Sequence, residues 1–284
     1  MKRSLIAGIN AEFRNYESLY PMEQRILQDI YAFLFMEKTL VLKVLHCIRF
    51  FLPFLNKSLK QLQVAHCVRH LSIEKLFLES LNSGCKQFVI FGAGYDTRYL
   101  RYKDRLKKCK LIEIDHPSTQ KRKLELLKKN KIDHDYIEFV SGNFYHDTLE
   151  SLLKKSSFDP QLKTCFIAEG LVHYLTLQNF TDFLRVIAQF DSDFIFSFIS
   201  SDMRKKADST FISLIKALKE IPSQFFSKDE IISLCNKHSL KSIGHWDIQS
   251  QIKEFVPVAF TRSFYLSQDI FKVSTCFNHE GSSS

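Results

Sequence analysis

Residues 88–98 read Phe-Val-Ile-Phe-Gly-Ala-Gly-Tyr-Asp-Thr-Arg and join an apolar run to a glycine-rich turn. A short apolar run closed by glycines is typical of a buried strand that ends in a tight turn. Gly92 and Gly94 permit backbone conformations and close approaches that a Cβ would prevent. The sequence therefore predicts that a polar ligand lies against backbone N–H groups at the carboxyl end of this strand.

A second apolar run, residues 110–115, ends in Glu113 and Asp115. Asp115 follows Gly94 by 21 positions. In a strand–turn–helix–strand unit, this spacing puts a carboxylate at the tip of the neighbouring strand, where it can accept from ribose hydroxyls. A dinucleotide fingerprint requires a third glycine at position 97, where Thr97 stands. The pattern therefore favours a nucleoside cofactor without a pyrophosphate over NAD.

Three stretches resemble the signature motifs of one family, the leucine carboxyl methyltransferases. They are GAGYDTRYLR at 92–101, EIDHP at 113–117 and AEGLVHYLT at 168–176. They occur in the family's order, and an amino-terminal match extends the resemblance over roughly residues 10–200. The family includes bacterial polyketide O-methyltransferases. The resemblance implies S-adenosyl-L-methionine as methyl donor and S-adenosyl-L-homocysteine as product, but it does not identify the methyl acceptor.

The resemblance also implies roles for residues in the amino-terminal part. Arg14, Glu17, Asp29 and Ala32 lie on positions of the family pattern. Arg69 stands where the family has an arginine on the helix before the first strand, and a bidentate pair with the carboxylate of the methionine moiety would suit it. The alternative for Arg69 is an ordinary surface arginine. Arg14 and Arg69 are therefore candidate cofactor-binding residues.

Two further regions concern the adenine and the reacting end of the cofactor. Asn143 and Phe144 stand where the family usually has Asp-Leu, which implies one polar and one aromatic contact with adenine. Glu169 follows the apolar run 164–168, so it lies outside a strand end, where open α/β sheets bind ligands. Glu169 is a candidate for stabilising the sulfonium or holding the methionine amine. The alternative is a helix-capping carboxylate.

The acceptor side carries fewer signals. His173 and Tyr174 follow Glu169 on the same loop and are the catalytic candidates, as general bases for a hydroxyl acceptor, with His116 a weaker candidate. A carboxylate acceptor is already ionised and needs no base. The lack of an obvious base and the net charge of +9 favour an anionic acceptor, a small molecule or a protein carboxylate. The alternative is that the lysines serve solubility.

Alternation of apolar strands and helices predicts an α/β fold with a mostly parallel sheet covered on both faces. The resemblance implies the seven-stranded, Rossmann-like sheet of class I methyltransferases with an amino-terminal helical cap. The predicted strands are 88–91, 110–115, 136–140, 164–168 and 193–199, with a closing antiparallel pair at 242–248 and 255–266. We predict three divisions of the chain. Residues 1–80 form a cap that is helical throughout, and residues 81–273 form a methyltransferase domain with an acceptor-side helical insertion near 201–240. Residues 274–284 form a disordered tail.

Composition excludes several other classes. The 284 residues contain seven cysteines but no CxxC pair, which indicates reduced thiols in a cytoplasmic protein rather than a disulfide framework. His66, Cys67 and His70 form an i, i+4 histidine pair around a cysteine. No HExxH arrangement and no second cluster accompany them, so we expect no metal site.

The amino terminus has no sustained apolar segment, so we expect no signal peptide. The apolar segment 31–55 is interrupted by charged residues, which excludes a membrane-spanning helix. The charges fall on one face, and we predict an amphipathic basic helix that packs as a cap and that Pro53 ends or kinks. The alternative is that this helix lies on a membrane surface.

The main hypothesis is an S-adenosyl-L-methionine-dependent O-methyltransferase that acts on a carboxylate or hydroxyl of a small molecule or a protein C-terminus. One alternative is methylation of a modified tRNA base. Enzymes of that kind carry an added repeat domain, and no arginine–aromatic stripe indicates an RNA groove, so we expect no nucleic acid partner. A second alternative is a non-catalytic, cofactor-binding scaffold protein. The chain has all four of the family's site residues Gly92, Gly94, Asp115 and Glu169, which argues against a non-catalytic scaffold. The oligomeric state is left open.

Overall fold

The computed structural model describes residues 5–36, 53–201, 222–256 and 268–275. Seven strands in these ranges form one sheet in the order β3-β2-β1-β4-β5-β7-β6. Strands β1 to β5 run parallel, and β7 pairs antiparallel with both β5 and β6. The strands are β1 (Gln87–Phe91), β2 (Lys110–Asp115), β3 (Glu138–Ser141), β4 (Thr164–Ala168), β5 (Ser192–Ile199), β6 (Leu240–Trp246) and β7 (Gln268–Thr275). The predicted seven-stranded, mostly parallel sheet is confirmed.

Eight helices are described along the same ranges. They are α1 (Leu5–Ser18), α2 (Pro53–Asn82), α3 (Arg98–Arg101), α4 (Pro117–Lys129), α5 (Leu149–Lys154), α6 (Leu177–Ile187), α7 (Lys228–Lys237) and α8 (Ile248–Phe255). Two short 3₁₀ turns cover Ala32–Phe35 and Val172–Tyr174. None of the helices in the described ranges combines the length and apolar character needed to cross a bilayer.

Both faces of the sheet are buried, because the parallel strands carry apolar residues on both sides. On one face, strand residues such as Phe91 and Phe166 pack with apolar residues of α5, α6 and α7. On the other face, Phe88 and Ile167 pack with apolar residues of α2 and α4. Burying one such phenylalanine contributes roughly 1.5–3 kcal/mol, so these two layers fix the sheet between its helices.

The order of the strands places a switch point between β1 and β4, since the chain moves to β2 and β3 on one side and to β4 and β5 on the other. Open α/β sheets bind ligands at the carboxyl ends of the strands beside such a point. Gly92 and Gly94 follow β1 there with φ of +61° and +50°. These are left-handed backbone conformations, which glycine adopts without the steric cost that a Cβ imposes.

The prediction that residues 1–80 are helical throughout is wrong for residues 19–31. Between α1 and the 3₁₀ turn at Ala32–Phe35, the chain runs in turns and irregular structure. Pro21 disfavours a helical conformation in the residue before it. Side chains of the preceding helix also bond this backbone, because Glu17 Oε1 accepts from Ile26 N at 2.7 Å and Ser18 Oγ accepts from Asp29 N at 2.8 Å. Most of the predicted basic helix, residues 37–52, lies outside the described residues, and α2 begins at Pro53, where proline is favoured.

The strand predicted at 242–248 is observed at Leu240–Trp246, and Ile248–Phe255 is a helix. Residues 257–266, most of the strand predicted at 255–266, lie outside the described residues, and the strand that pairs with both β5 and β6 is Gln268–Thr275. Asp247 starts that helix by accepting from Ser250 N at 2.8 Å, and Ile248 then packs against α2. Consequently β7 includes the first two residues of the predicted tail. Residues 276–284, and residues 202–221 of the insertion predicted near 201–240, lie outside the described residues.

Candidate functional site

The turn after β1 and the tip of β2 form the first half of the site. Gly92 N donates to Ile114 O at 2.8 Å, and Gly94 N donates to the Asp115 carboxylate. His116 N donates to the other oxygen of Asp115, so two backbone N–H groups orient this side chain. Burial raises the pKa of Asp115, although the bonds from Gly94 and His116 lower it. Each carboxylate oxygen still has a lone pair for a ligand hydroxyl.

The second half of the site lies at the tip of β4, where Glu169 contacts three side chains. Its Oε1 accepts from Arg69 Nε at 3.1 Å, and its Oε2 contacts Arg98 Nη2 and, at 3.1 Å, His70 Nδ1. Arg98 is fully buried and also donates to Asp96 in the turn after β1, with Nη1 and Oδ2 2.5 Å apart. Arg98 therefore ties the glycine turn to the tip of β4, with two arginines balancing two carboxylates.

The ionisation of this cluster follows from those contacts. Burial alone would raise the pKa of Glu169, but the charges of Arg98 and Arg69 and a hydrogen bond from His70 hold it well below its usual range. Burial and then the Arg98 guanidinium lower the pKa of His70, which outweighs the opposite effect of Glu169. The Glu169 carboxylate is therefore ionised beside a neutral His70 at neutral pH. The helix-capping role considered for Glu169 is not observed, since its partners are arginines and a histidine.

Arg14 lies beside this site but is committed to other groups. Its Nε donates to Asp29 Oδ2 at 2.8 Å and its Nη2 donates to the backbone oxygen of Tyr95 at 2.6 Å. Asp29 Oδ2 also accepts from Thr97 Oγ1 at 2.7 Å, and Arg101 Nε lies 3.7 Å from Oδ1. Arg14 thus joins the amino-terminal segment to the glycine turn.

Glu113 forms a buried ion pair beneath the tip of β2. Lys123 Nζ, on α4, donates to Glu113 Oε2 at 2.6 Å and to the backbone oxygen of Asp96 at 2.7 Å. Burial raises the pKa of Glu113 to about 7 even though Lys123 lowers it. The pair therefore supports the turn after β1 through the backbone oxygen of Asp96.

The two adenine candidates lie next to β3 but differ from the expected arrangement. Asn143 Oδ1 accepts from Tyr145 N at 3.1 Å, which leaves one lone pair on that oxygen. The ring of Phe144 is 8% exposed and packs edge-on against Phe91 and Phe183 in the core. Their contacts with adenine stay a prediction.

The two acceptor-side candidates lie on the 3₁₀ turn after β4. His173 is buried, its ring centroid lies 4.2 Å from that of Tyr174, and its Nδ1 has no hydrogen-bond partner. Burial, followed by the charges of Arg69 and His66, lowers the pKa of His173 to about 3. A neutral imidazole with an unsatisfied, buried nitrogen is a group that a ligand would complete.

The histidines and cysteine of α2 do not converge. His66 Nδ1 bonds the backbone oxygen of Leu62 at 2.8 Å, Cys67 Sγ points at that of Phe13, and His70 contacts Glu169. Among the residues that the structure describes, no three acidic, histidine or cysteine side chains are placed to share a metal ion.

A sequence profile described as leucine carboxyl methyltransferase matches residues 7–188. The chain belongs to the leucine carboxyl methyltransferase family. It is 33% identical over 113 residues to a Bacillus subtilis (strain 168) protein named "Putative S-adenosyl-L-methionine-dependent methyltransferase YktD", which covers 37% of this chain and 35% of that protein. It is 31% identical over 102 residues to a Mycobacteroides abscessus protein of the same description, covering 36% and 33%. The chain thus spans about a third of the length of the curated relatives it matches.

The fold of this family member is shared with a solved methyltransferase. The magnesium protoporphyrin IX methyltransferase of Synechocystis PCC 6803, solved with bound SAH, superposes with a TM-score of 0.52 over 76% of this chain and 86% of that one. The two sequences are 10% identical, so the likeness concerns the fold alone.

Sequence reasoning missed the partners of Glu169. It considered His70 only as a metal ligand, and it assigned no partner to Arg98. The signal that was available is that Arg98 lies in the turn directly after the apolar run 88–91, where a buried charged side chain needs a counter-ion.

Proposed function

We propose that this chain is an S-adenosyl-L-methionine-dependent O-methyltransferase that transfers a methyl group to a carboxylate or hydroxyl of a small molecule or a protein C-terminus. One observation carries the proposal. The glycine turn, the Asp115 carboxylate and the Arg69–Glu169 pair lie together beside the β1–β4 switch point. These groups match the parts of the donor, namely a nucleoside with ribose hydroxyls and an amino acid with a carboxylate and an amine. The descriptions of the relatives support S-adenosyl-L-methionine-dependent methyl transfer and name no acceptor.

The residues present fit this cofactor. Gly92 and Gly94 have φ of +61° and +50°, so glycine is favoured at both positions and the backbone of the turn carries no Cβ there. Asp115, with a lone pair left on each oxygen, would hold ribose hydroxyls. Arg69 would hold the carboxylate of the amino-acid part, and Glu169 its amine.

When bound, the cofactor supplies an activated methyl group on a sulfonium. The contribution of the chain is then mainly to position the two reactants, which can lower a barrier by several kcal/mol. His173, neutral at pH 7, is able to hydrogen-bond an acceptor oxygen through Nδ1 and orient it. A histidine with so low a pKa is a weak base, so the site suits an acceptor that is already ionised, which favours a carboxylate over an alcohol.

Transfer of a labelled methyl group tests the proposal. Purified protein is incubated with methyl-labelled S-adenosyl-L-methionine and panels of carboxylic acids, phenols and peptides, and each labelled product is then treated with mild alkali. We expect label that alkali releases as methanol, because methyl esters hydrolyse under conditions in which methyl ethers persist.

Two matched variants show whether the methyl-transfer rate depends on the donor site, because one changes a carboxylate in that site and the other changes a carboxylate on the surface. Asp115→Asn is expected to lower the rate at least tenfold, since a neutral amide accepts fewer and weaker hydrogen bonds. Asp135→Asn, an exposed position before β3, is expected to keep the full rate. Donor binding without transfer to any panel would instead support the non-catalytic scaffold.

A further inference from the structure

His70 lies between two charged clusters that converge on the site from different elements. On one side its Nδ1 is 3.1 Å from Glu169 Oε2 at the tip of β4. On the other side its Nε2 is 3.1 Å from Arg101 Nη2 on α3. The imidazole is 3% exposed and carried by α2, one residue after Arg69. It therefore contacts the groups around Glu169 and the groups that hold the amino-terminal segment.

The hydrogens of the two arginines determine which nitrogen of His70 carries a proton. Arg101 Nη2 has two hydrogens and donates to Glu74 and to His70 Nε2, so Nε2 acts as an acceptor. Arg98 Nη2 also has two hydrogens, and it donates to Glu169 Oε2 and, at 3.3 Å, to the backbone oxygen of His70. His70 Nδ1, 2.9 Å from Arg98 Nη2, competes with these two oxygens for the same two hydrogens, whereas Nε2 already accepts from Arg101 and the neutral ring has one proton. Nδ1 therefore carries the proton and donates it to Glu169.

The other neutral tautomer fits the surroundings less well. A hydrogen on Nε2 would face a hydrogen of Arg101 Nη2 at 3.1 Å, while its nearest acceptor, Glu74 Oε2, is 3.8 Å away. Nδ1 would then be an acceptor facing Glu169 Oε2, a second unmatched contact at 3.1 Å. The Nδ1–H form leaves one unmatched contact, to Arg98. The doubly protonated form is disfavoured, since burial and Arg98 lower the pKa of His70.

The Nδ1–H tautomer of His70 determines which lone pairs of the Glu169 carboxylate are occupied by hydrogen bonds. A carboxylate oxygen has two lone pairs, and His70 and Arg98 occupy both of those on Oε2. Arg69 occupies one on Oε1. In the described part of the chain, the second lone pair of Oε1 is the acceptor of Glu169 with no hydrogen bond.

We propose that His70 is a positioning residue that, as the neutral Nδ1–H tautomer set by Arg101, fixes Oε2 of Glu169 and leaves one lone pair of Oε1 to accept from the amine of the methyl donor. The proposal rests on the proposed function for its ligand, but the tautomer is a property of the protein alone. It also connects donor binding to the amino-terminal segment, because Arg101 approaches Asp29, the partner of Arg14.

The test combines a spectroscopic readout with two variants that imitate one imidazole nitrogen each. In protein labelled with ¹⁵N-histidine, the His70 resonances are assigned by their loss in His70→Asn, and their shifts report which ring nitrogen is protonated. Asn can place an amide N–H near the position of Nδ1, whereas Gln can place an acceptor near that of Nε2. Dissociation constants for S-adenosyl-L-homocysteine and thermal midpoints are measured for both variants and for His238→Gln, a matched control at the end of α7.

We expect the Nδ1–H tautomer in the spectrum at pH 7. We expect His70→Asn to bind within about threefold of the wild type and His70→Gln to bind about tenfold or more weakly, because it loses a hydrogen bond to a charged group. This difference is expected to exceed any difference between their thermal midpoints. The Nε2–H tautomer would overturn the proposal, as would equal binding by the two variants. If the wild type binds no S-adenosyl-L-homocysteine, the proposed function fails, and the spectrum still decides the role of His70.

Discussion

Replacing Lys123 with methionine would leave the Glu113 carboxylate buried without its counter-ion. The two side chains are 2% and 3% exposed, and Lys123 Nζ lies 2.6 Å from Glu113 Oε2. Breaking such a pair typically costs about 3–5 kcal/mol of unfolding free energy, because the remaining charge has lost its solvent and its partner. We expect a loss of this size for Lys123→Met at pH 8.

The pH dependence of that loss identifies its cause. Burial already raises the pKa of Glu113 to about 7 in the presence of Lys123, so it rises further without the lysine. When folding raises the pKa of an acid, ionisation of that acid favours the unfolded state. The free energy of unfolding therefore falls as the pH rises from the pKa of the unfolded state to the pKa of the folded state. At pH 6, Glu113 of the variant is therefore protonated, and we expect the loss to fall to about 1–3 kcal/mol, that of an unmade hydrogen bond.

Urea unfolding, followed by circular dichroism at pH 6 and pH 8, measures both values. Glu113→Gln/Lys123→Met, which has no charge to bury, is expected to recover much of the loss at pH 8. Lys128→Met, at an exposed position of the same helix, is expected to stay within about 0.5 kcal/mol of the wild type. A loss below 1 kcal/mol, or an equal loss at the two pH values, would refute the reasoning.

Two further variants test the glycine turn and the amino-terminal ion pair. Gly94→Ala, at φ +50°, is expected to lose about 1–2 kcal/mol of stability and at least tenfold in S-adenosyl-L-homocysteine affinity, whereas Gly84→Ala, at φ +96° and away from the strand tips, loses stability alone. Equal affinity in the two would remove Gly94 from the site. Burial would raise the pKa of Asp29, but Arg14 and Arg101 lower it to about 2, so its contribution to stability is present above pH 3.8 and is lost as the pH falls towards 2. Arg14→Gln is therefore expected to move acid unfolding to higher pH in a circular dichroism titration, and an unchanged midpoint would contradict this.

The central part of the sheet was predictable from the sequence because β1, β4 and β5 are buried on both faces. A strand of this kind is a continuous apolar run, and β4 was predicted with its observed ends, Thr164 and Ala168. The residues just beyond those runs necessarily meet at one edge of the sheet. Gly92, Gly94, Asp115 and Glu169 were therefore predictable as neighbours from their positions in the chain.

Strand β7 was not predicted, because its sequence is not a continuous apolar run. Asp269 and Lys272 interrupt β7, and each is paired with a residue far away in sequence. His245 Nε2 lies 2.9 Å from Asp269 Oδ2, and Lys272 Nζ lies 2.9 Å from Asp193 Oδ2. The strand was predicted instead in the more apolar segment before β7, at 255–266.

The charge network around Glu169 could not be predicted, since its members are separated by up to 100 positions. A single sequence gives each charged residue but not its counter-ion. Arg69 and Glu169 were each assigned to the ligand, and the structure shows that they also bond each other. His70 and Arg98 acquire their roles only through this pair.

Calorimetric titration with S-adenosyl-L-homocysteine, with NAD in parallel, tests the central claim most directly. We expect micromolar binding of S-adenosyl-L-homocysteine, no binding of NAD, and binding weakened at least tenfold in Asp115→Ala and in Glu169→Ala but not in Asp135→Ala. Binding of NAD, or S-adenosyl-L-homocysteine affinity that Asp115→Ala and Glu169→Ala leave unchanged, would contradict a methyl-donor site at the tips of β1, β2 and β4.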